Sequence, residues 1–179
     1  MRCVVLAAAC ALAPASVYAV EYMTAEQAAK MIFPGADTFE PGNVKLDSAS
    51  MQQLNTAGIQ ARSVNWPLRI AKRGSTTLGY VVVDEVIGKF ELITYAVGVG
   101  ADGAITQMEV LSYRESHGSE IRIAGWRKQF VGKTSAEPIR VGEDIANISG
   151  ATLSCKHITD GIRRVVSVID LALKNGSLQ

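Results

Sequence analysis

An α+β fold, with a twisted antiparallel sheet, flanking helices and a long C-terminal helix, is predicted from three observations in this 179-residue chain. Four stretches rich in Val, Ile, Thr and Tyr lie between residues 68 and 114, separated by Gly-containing turns, the pattern of an antiparallel meander. Ile158, Ile162, Val165, Val166, Ile169 and Leu173 recur at helical spacing as one apolar stripe. A capping box, Thr24-Ala-Glu-Gln27, opens another helix near the start. Strands grouped together, with helices before and after them, give α+β.

Residues 1–19 stand apart from that fold. Arg2 precedes an apolar run interrupted by Pro14, and Val17-Tyr18-Ala19 places small residues where a signal peptidase reads them. The segment is read as a signal peptide cleaved after Ala19. An uncleaved anchor is the alternative, since residues 3–20 are uncharged and nearly long enough to span a bilayer. Cleavage removes one of the 18 basic residues and leaves basic and acidic residues equal in number. Cys3 and Cys10 leave with it, so Cys155 has no internal disulfide partner. A net charge of +1 excludes binding built on phosphate-backbone attraction, so no nucleic-acid partner is expected. With 48% hydrophobic and 20% charged residues the chain is not disordered.

Residues 20–66 are read as an N-terminal helical segment and residues 67–179 as a second unit. The first helix runs over 25–32 and ends before Pro34. The second starts near Asp47 or Ser48 and stops at Gly58, a favourable residue just past a helix end. The strands are placed at 68–73, 80–86, 90–99 and 104–114, with turns at 74–79, 87–89 and 100–103. A short helix follows around 125–131. The last helix closes with Lys174 in its final turn and Gly176 beyond.

The start of that last helix carries the chemistry. Ile148-Ser-Gly-Ala-Thr-Leu-Ser154 combines small residues, hydroxyls at 149, 152 and 154, and the free amides of a helix N-terminus. Such a stretch suits a phosphate; Ser and Thr there are also ordinary helix caps.

Ser149-Gly-Ala-Thr152 resembles the flavinylation motif of the FMN-binding domain family. The resemblance extends to Tyr113-Arg-Glu-Ser-His-Gly118, to Trp126, Phe130 and Gly132-Lys133, to the segment 84–89 and to the turn 100–103, covering about residues 75–175. It implies FMN joined by a phosphodiester to Thr152, attached by a magnesium-dependent FAD:protein FMN transferase. Relatives include FMN-carrying subunits of ion-pumping oxidoreductases and small exported flavoproteins. One departure stands out: family members commonly carry Asp three residues before the motif's Ser, where this chain has Ala146, with Asp144 and Asn147 nearby.

The expected cofactor-binding residues are therefore Ser149, Gly150, Ala151, Thr152, Leu153 and Ser154, with Glu115, His117 and Gly118 as a polar rim. Glu115 and His117 also read as an ordinary loop charge and a surface imidazole. Lys133 could offset flavin or phosphate charge or simply be exposed, Trp126 and Phe130 are core or flavin-stacking, and His157 falls off the Thr152 face and is read as a surface residue. Cys155 is a packing residue or a lone thiol. No metal site and no catalytic residue are expected. The function implied is an exported electron carrier with membrane or periplasmic redox partners. Alternatives are a non-covalent FMN carrier, a non-redox interaction module on the same scaffold, or a flavin-dependent reductase using Glu115 and His117.

Overall fold

β-branched and aromatic side chains dominate three inner strands, β4 (Thr76–Ile87), β5 (Leu92–Gly100) and β6 (Ile105–Tyr113), of a computed structural model that describes residues 20–115 and 118–178. Before them come β1 (Val20–Glu21), α1 (Ala25–Ile32), β2 (Thr38–Lys45), α2 (Ser48–Thr56) and β3 (Asn65–Arg73). After them come a 3-10 turn at Ser119–Arg122, α3 (Ala124–Arg127) continuing as 3-10 through Lys128–Phe130, and α4 (Thr152–Asn175). The predicted signal segment, residues 1–19, lies outside the described residues.

The fold is α+β. All six strands pair antiparallel in the order β1-β6-β5-β4-β3-β2. The meander β3–β6 matches the sequence pattern; the two outer strands are additions to it. Residues 20–66 are not purely helical, because β2 pairs along its whole length with β3. Pro41-Gly42 reads as a turn in isolation, but β2 is an edge strand, where a residue without an N–H is tolerated. Pro67 likewise sits inside β3 rather than before it. Pairing with β4 begins only at Arg69, so at Pro67 the strand has one neighbour.

Each face of the sheet carries a helix. The Thr24 capping box forms as expected, with Gln27 N donating to Thr24 Oγ1 (3.2 Å) and Thr24 N to Gln27 Oε1 (2.8 Å). Ala28, Ala29, Ile32 and Phe33 of α1 then pack on Ala71, Val81, Ala96 and Leu111. The approach is close because the sheet offers Gly98 beneath: a Cβ there would lie 2.0 Å from Ile32 Cγ2. The opposite face holds α4, whose Ile158, Ile162, Val165, Val166 and Ile169 are fully buried against Tyr95, Met108 and Trp66 in the main core. Arg164 of α4 donates to Asp84 of β4 (2.8 Å), and Tyr95 Oη donates to the same carboxylate oxygen (2.8 Å). Beyond Gly176 the chain returns to β2 through a Val44–Leu178 bridge.

The outer edge of β6 is covered in pieces. β1 and Tyr22 N, which donates to Leu111 O (2.8 Å), take one end. Arg127 Nη1 donates to Met108 O (3.0 Å) in the middle, and Gly132 and Lys133 exchange backbone bonds with Ile105 at the other end.

Register defines where the functional end lies. Ile87 pairs with Leu92 and Ile93 with Tyr113, so the β4–β5 turn and the loop after β6 emerge at one end of the sheet. The first turns of α4 sit against that end.

Candidate functional site

Ala151 occupies the N-cap position of α4 and has no side-chain acceptor to offer, so among the described residues no side chain caps this helix. The hydroxyls at 149, 152 and 154 do not cap it either, although Ser and Thr usually would. The first-turn amides are left to water or an anionic ligand. Gly150 precedes them with φ of +86°, and a Cβ built on it would meet nothing within 4 Å, so the backbone here is open to close approach.

Thr152 is exposed, and its Oγ1 accepts a bond from Asn147 Nδ2 (3.1 Å). Ser149, Gly150 and Leu153 are also exposed. Ser154 is buried, its hydroxyl 3.3 Å from Tyr113 Oη, so it forms floor rather than rim. Burial raises the Tyr113 pKa, which keeps that phenol protonated. Cys155 is fully buried and its pKa is also raised by burial, so it is an inert packing residue.

The loop after β6 meets the start of α4. Gly118 has φ of +90°, and a Cβ there would lie 2.6 Å from Tyr113 Oη and 2.9 Å from Ala151 Cβ. Two segments more than thirty residues apart are thereby brought together. His117 lies outside the described residues.

Glu115 lines the cleft, as a rim residue should, but is not a free charge there. Its Oε1 accepts the amides of Phe90 (2.6 Å) and Glu91 (3.0 Å), so it anchors the β4–β5 turn instead of standing free as a rim charge. Burial alone would raise its pKa. The amides of Glu91, Phe90 and Lys89 and the Lys89 charge outweigh that and hold it below the ordinary glutamate value.

The turn so anchored forms the opposite wall. A cleft of ≈ 550 Å³ is lined by Lys89, Phe90 and Glu115 on one side and Gly150–Ser154 on the other. Phe90 is 74% exposed, with Lys89 Nζ 4.8 Å from its ring centroid, and Leu153 is 43% exposed. An aromatic ring left this open at the mouth of a cleft is a surface in want of a flat apolar partner. In the sequence Lys89 and Phe90 carry no signal beyond that of a turn and a strand start. They lie some sixty residues before Thr152, and only strand pairing brings them opposite it.

The remaining expected residues are structural. Trp126 is buried, stacks edge-on against Phe130 at 5.1 Å, and donates from Nε1 to Ala146 O (2.7 Å). Gln129 Oε1 accepts from Ala146 N (2.8 Å), so two side chains clamp the backbone just before the motif. Lys133 pairs with Asp144 (2.9 Å), and Asp144 also accepts the amides of Ile139 and Arg140. Neither Lys133 nor Asp144 lines the cleft, which leaves Asn147 as the polar neighbour of Thr152. His157 is not a free surface imidazole: its Nδ1 lies 2.6 Å from Ile87 O and 3.0 Å from Gly88 O.

Residues 88–167, which hold both walls of the cleft, match the FMN-binding domain family. That stretch is 80 of the chain's 179 residues. Over 112 residues the chain is 28% identical to one subunit of the Na(+)-translocating ferredoxin:NAD(+) oxidoreductase complex of Acetobacterium woodii, covering 55% of this chain and 53% of that protein. It is 29% identical over 107 residues to one subunit of the proton-translocating ferredoxin:NAD(+) oxidoreductase complex of Clostridium ljungdahlii, covering 55% and 57%. The chain thus spans about half the length of the curated relatives it matches. The crystal structure of one subunit of the Na(+)-translocating NADH-quinone reductase from Parabacteroides distasonis superposes with a TM-score of 0.54 over 82% of this chain and 83% of that one. At 16% identity that likeness shows the fold. The FMN-binding domain match begins at Gly88, yet the sheet and core supporting it start well before.

Proposed function

We propose that this protein is an exported electron carrier holding FMN in the cleft, joined through its phosphate to Thr152 Oγ1. The observation that carries the reading is the exposed Thr152 hydroxyl on an uncapped helix N-terminus, directly across ≈ 550 Å³ of cleft from an exposed Phe90. That volume suits a cofactor-sized ligand, typically roughly 300–1,000 Å³. When bound, FMN supplies one- and two-electron redox chemistry.

The chain's residues fit that group end to end. The amides of the first turn of α4 stabilise the charge that a phosphodiester retains. Gly150 and Ala151 admit the phosphate to the backbone, and Phe90 and Leu153 offer apolar surface to a ring system. Lys89 adds a cation on the same wall. In attachment, a bond forms from Thr152 Oγ1 to the FMN-side phosphorus of FAD, the bond between the two FAD phosphates breaks, and AMP leaves with the threonine proton. Asn147, already bonded to Thr152 Oγ1, orients the hydroxyl for this step. The partners are then a magnesium-dependent FAD:protein FMN transferase and membrane or periplasmic redox proteins. Export is supported by the charge, apolar run and small residues of positions 1–19.

Intact mass after co-expression with a flavin transferase is the test. The mature protein is expected to gain about 438 Da, FMN less water, and Thr152→Ala to gain nothing. Ala146, standing where relatives carry Asp, favours a second reading in which FMN is held without the covalent bond. A yellow protein of unmodified mass selects that reading. A colourless one under the same conditions overturns both and favours an interaction module. A reductase using Glu115 as its acid–base residue is disfavoured, because one oxygen of that carboxylate accepts two backbone amides.

A further inference from the structure

The β4–β5 turn that forms one wall of the cleft has little apolar burial to hold it. Ile87 is 58% exposed and Phe90 74%. Beyond its own backbone pairing, two side chains among the described residues tie it to other elements. From the loop after β6, Glu115 accepts the amides of Phe90 and Glu91. From α4, five residues after Thr152, His157 Nδ1 reaches the carbonyls of Ile87 and Gly88. A carbonyl oxygen can only accept, so His157 is the donor and its proton is on Nδ1. The same helix therefore carries Thr152 on one wall and ties down the wall opposite.

We propose that His157 is a positioning residue for the flavin: it fixes the distance between Phe90 and Thr152, so the ring tethered at Thr152 packs against Phe90 instead of swinging into solvent. This inference rests on the FMN reading above. A tether alone does not define ring position, because a phosphodiester and a ribityl chain leave many rotatable bonds. The opposing wall must supply the constraint, and a wall held by side-chain latches opens locally when one latch is lost. Asn is the conservative replacement, since its amide N–H can donate from nearly the same place as Nδ1.

The test uses full-length protein co-expressed with the transferase, in wild type, His157→Ala, His157→Asn and Phe90→Ala. Each is assayed for intact mass, iodide quenching of flavin fluorescence and reduction potential. All four are expected to carry the flavin. His157→Ala and Phe90→Ala are expected to raise the quenching constant by about twofold or more and to shift the potential, while His157→Asn stays near wild type. Equal quenching and potential in His157→Ala and wild type overturn the proposal, as does failure of Asn to restore them. If His157→Ala does not fold, Phe90→Ala and His157→Asn still decide: unchanged quenching in Phe90→Ala, or altered quenching in His157→Asn, overturns it. Wild-type protein that is both unmodified in mass and colourless is a different result, visible before any quenching is measured, and it overturns the FMN reading together with this inference.

Discussion

Gly118 combines a backbone conformation that L side chains avoid with a contact that a methyl group would destroy. Gly118→Ala is expected to destabilise the fold by about 2–4 kcal/mol, since strain at positive φ adds to collision with Tyr113 and Ala151. Gly150→Ala, at a similar φ but in open space, is expected to cost only about 1–2 kcal/mol. Urea unfolding of the pair separates clash from strain. Glu115 makes the turn acid-sensitive. Its folded pKa lies below the ordinary value of 4.5, so its stabilising contribution is complete above that value and is lost as pH falls through the folded one. Amide exchange at Phe90 and Glu91 is expected to accelerate in wild type as pH drops from about 5 to 3, after correction for intrinsic rates, and to show no such step in Glu115→Gln. At Ala146 both backbone polar groups are clamped by Trp126 and Gln129 while the side chain is exposed. Ala146→Asp is therefore expected to change stability by no more than about 0.5 kcal/mol, and any change in flavinylation rate then reports on the chemistry alone.

The long helix α4 is both the main packing element and the carrier of Thr152, and a buried polar tie fixes it to the sheet. Arg164, Asp84 and Tyr95 share one carboxylate oxygen under the helix, and the Tyr95 pKa is pushed well up by burial first and by Asp84 second. Asp84→Ala leaves Arg164 without its partner and is expected to cost about 3–5 kcal/mol. Adding Arg164→Met is expected to recover part of that loss, a coupling measurable by a double-mutant cycle. The helix itself is plain in the sequence, because six apolar residues at helical spacing and a closing Lys and Gly specify it locally. So are α1, from its capping box, and the inner strands, from their β-branched runs. The edge strand β2 is not, since Pro41-Gly42 has the local signature of a turn and only pairing to β3 overrides it. The site divides the same way. Thr152 and its neighbours are contiguous and readable, whereas Phe90, Lys89 and the His157 latch depend on strand register that no local pattern encodes.

The molecule folds as more than its family match. Val44, Leu46, Leu54, Ile59, Ala61 and Trp66, all before Pro67, belong to the same core as α4. A fragment of residues 67–179 is expected to show no cooperative thermal transition, in contrast to the chain from residue 20 onward, because it loses β2, α2 and one side of that core. Differential scanning calorimetry of the two proteins checks this. The coverings on the outer edge of β6 have a further meaning for how anything approaches the protein. Strand-to-strand docking needs a row of unclaimed backbone donors and acceptors, and here β1, Arg127 and residues 132–133 have already claimed it in instalments. The other edge is blunted by Pro41 and by the returning C-terminal tail. On the proposed function, a redox partner is therefore expected to meet the end of the sheet, over the mouth between Phe90 and Thr152, and not to add a strand to either edge.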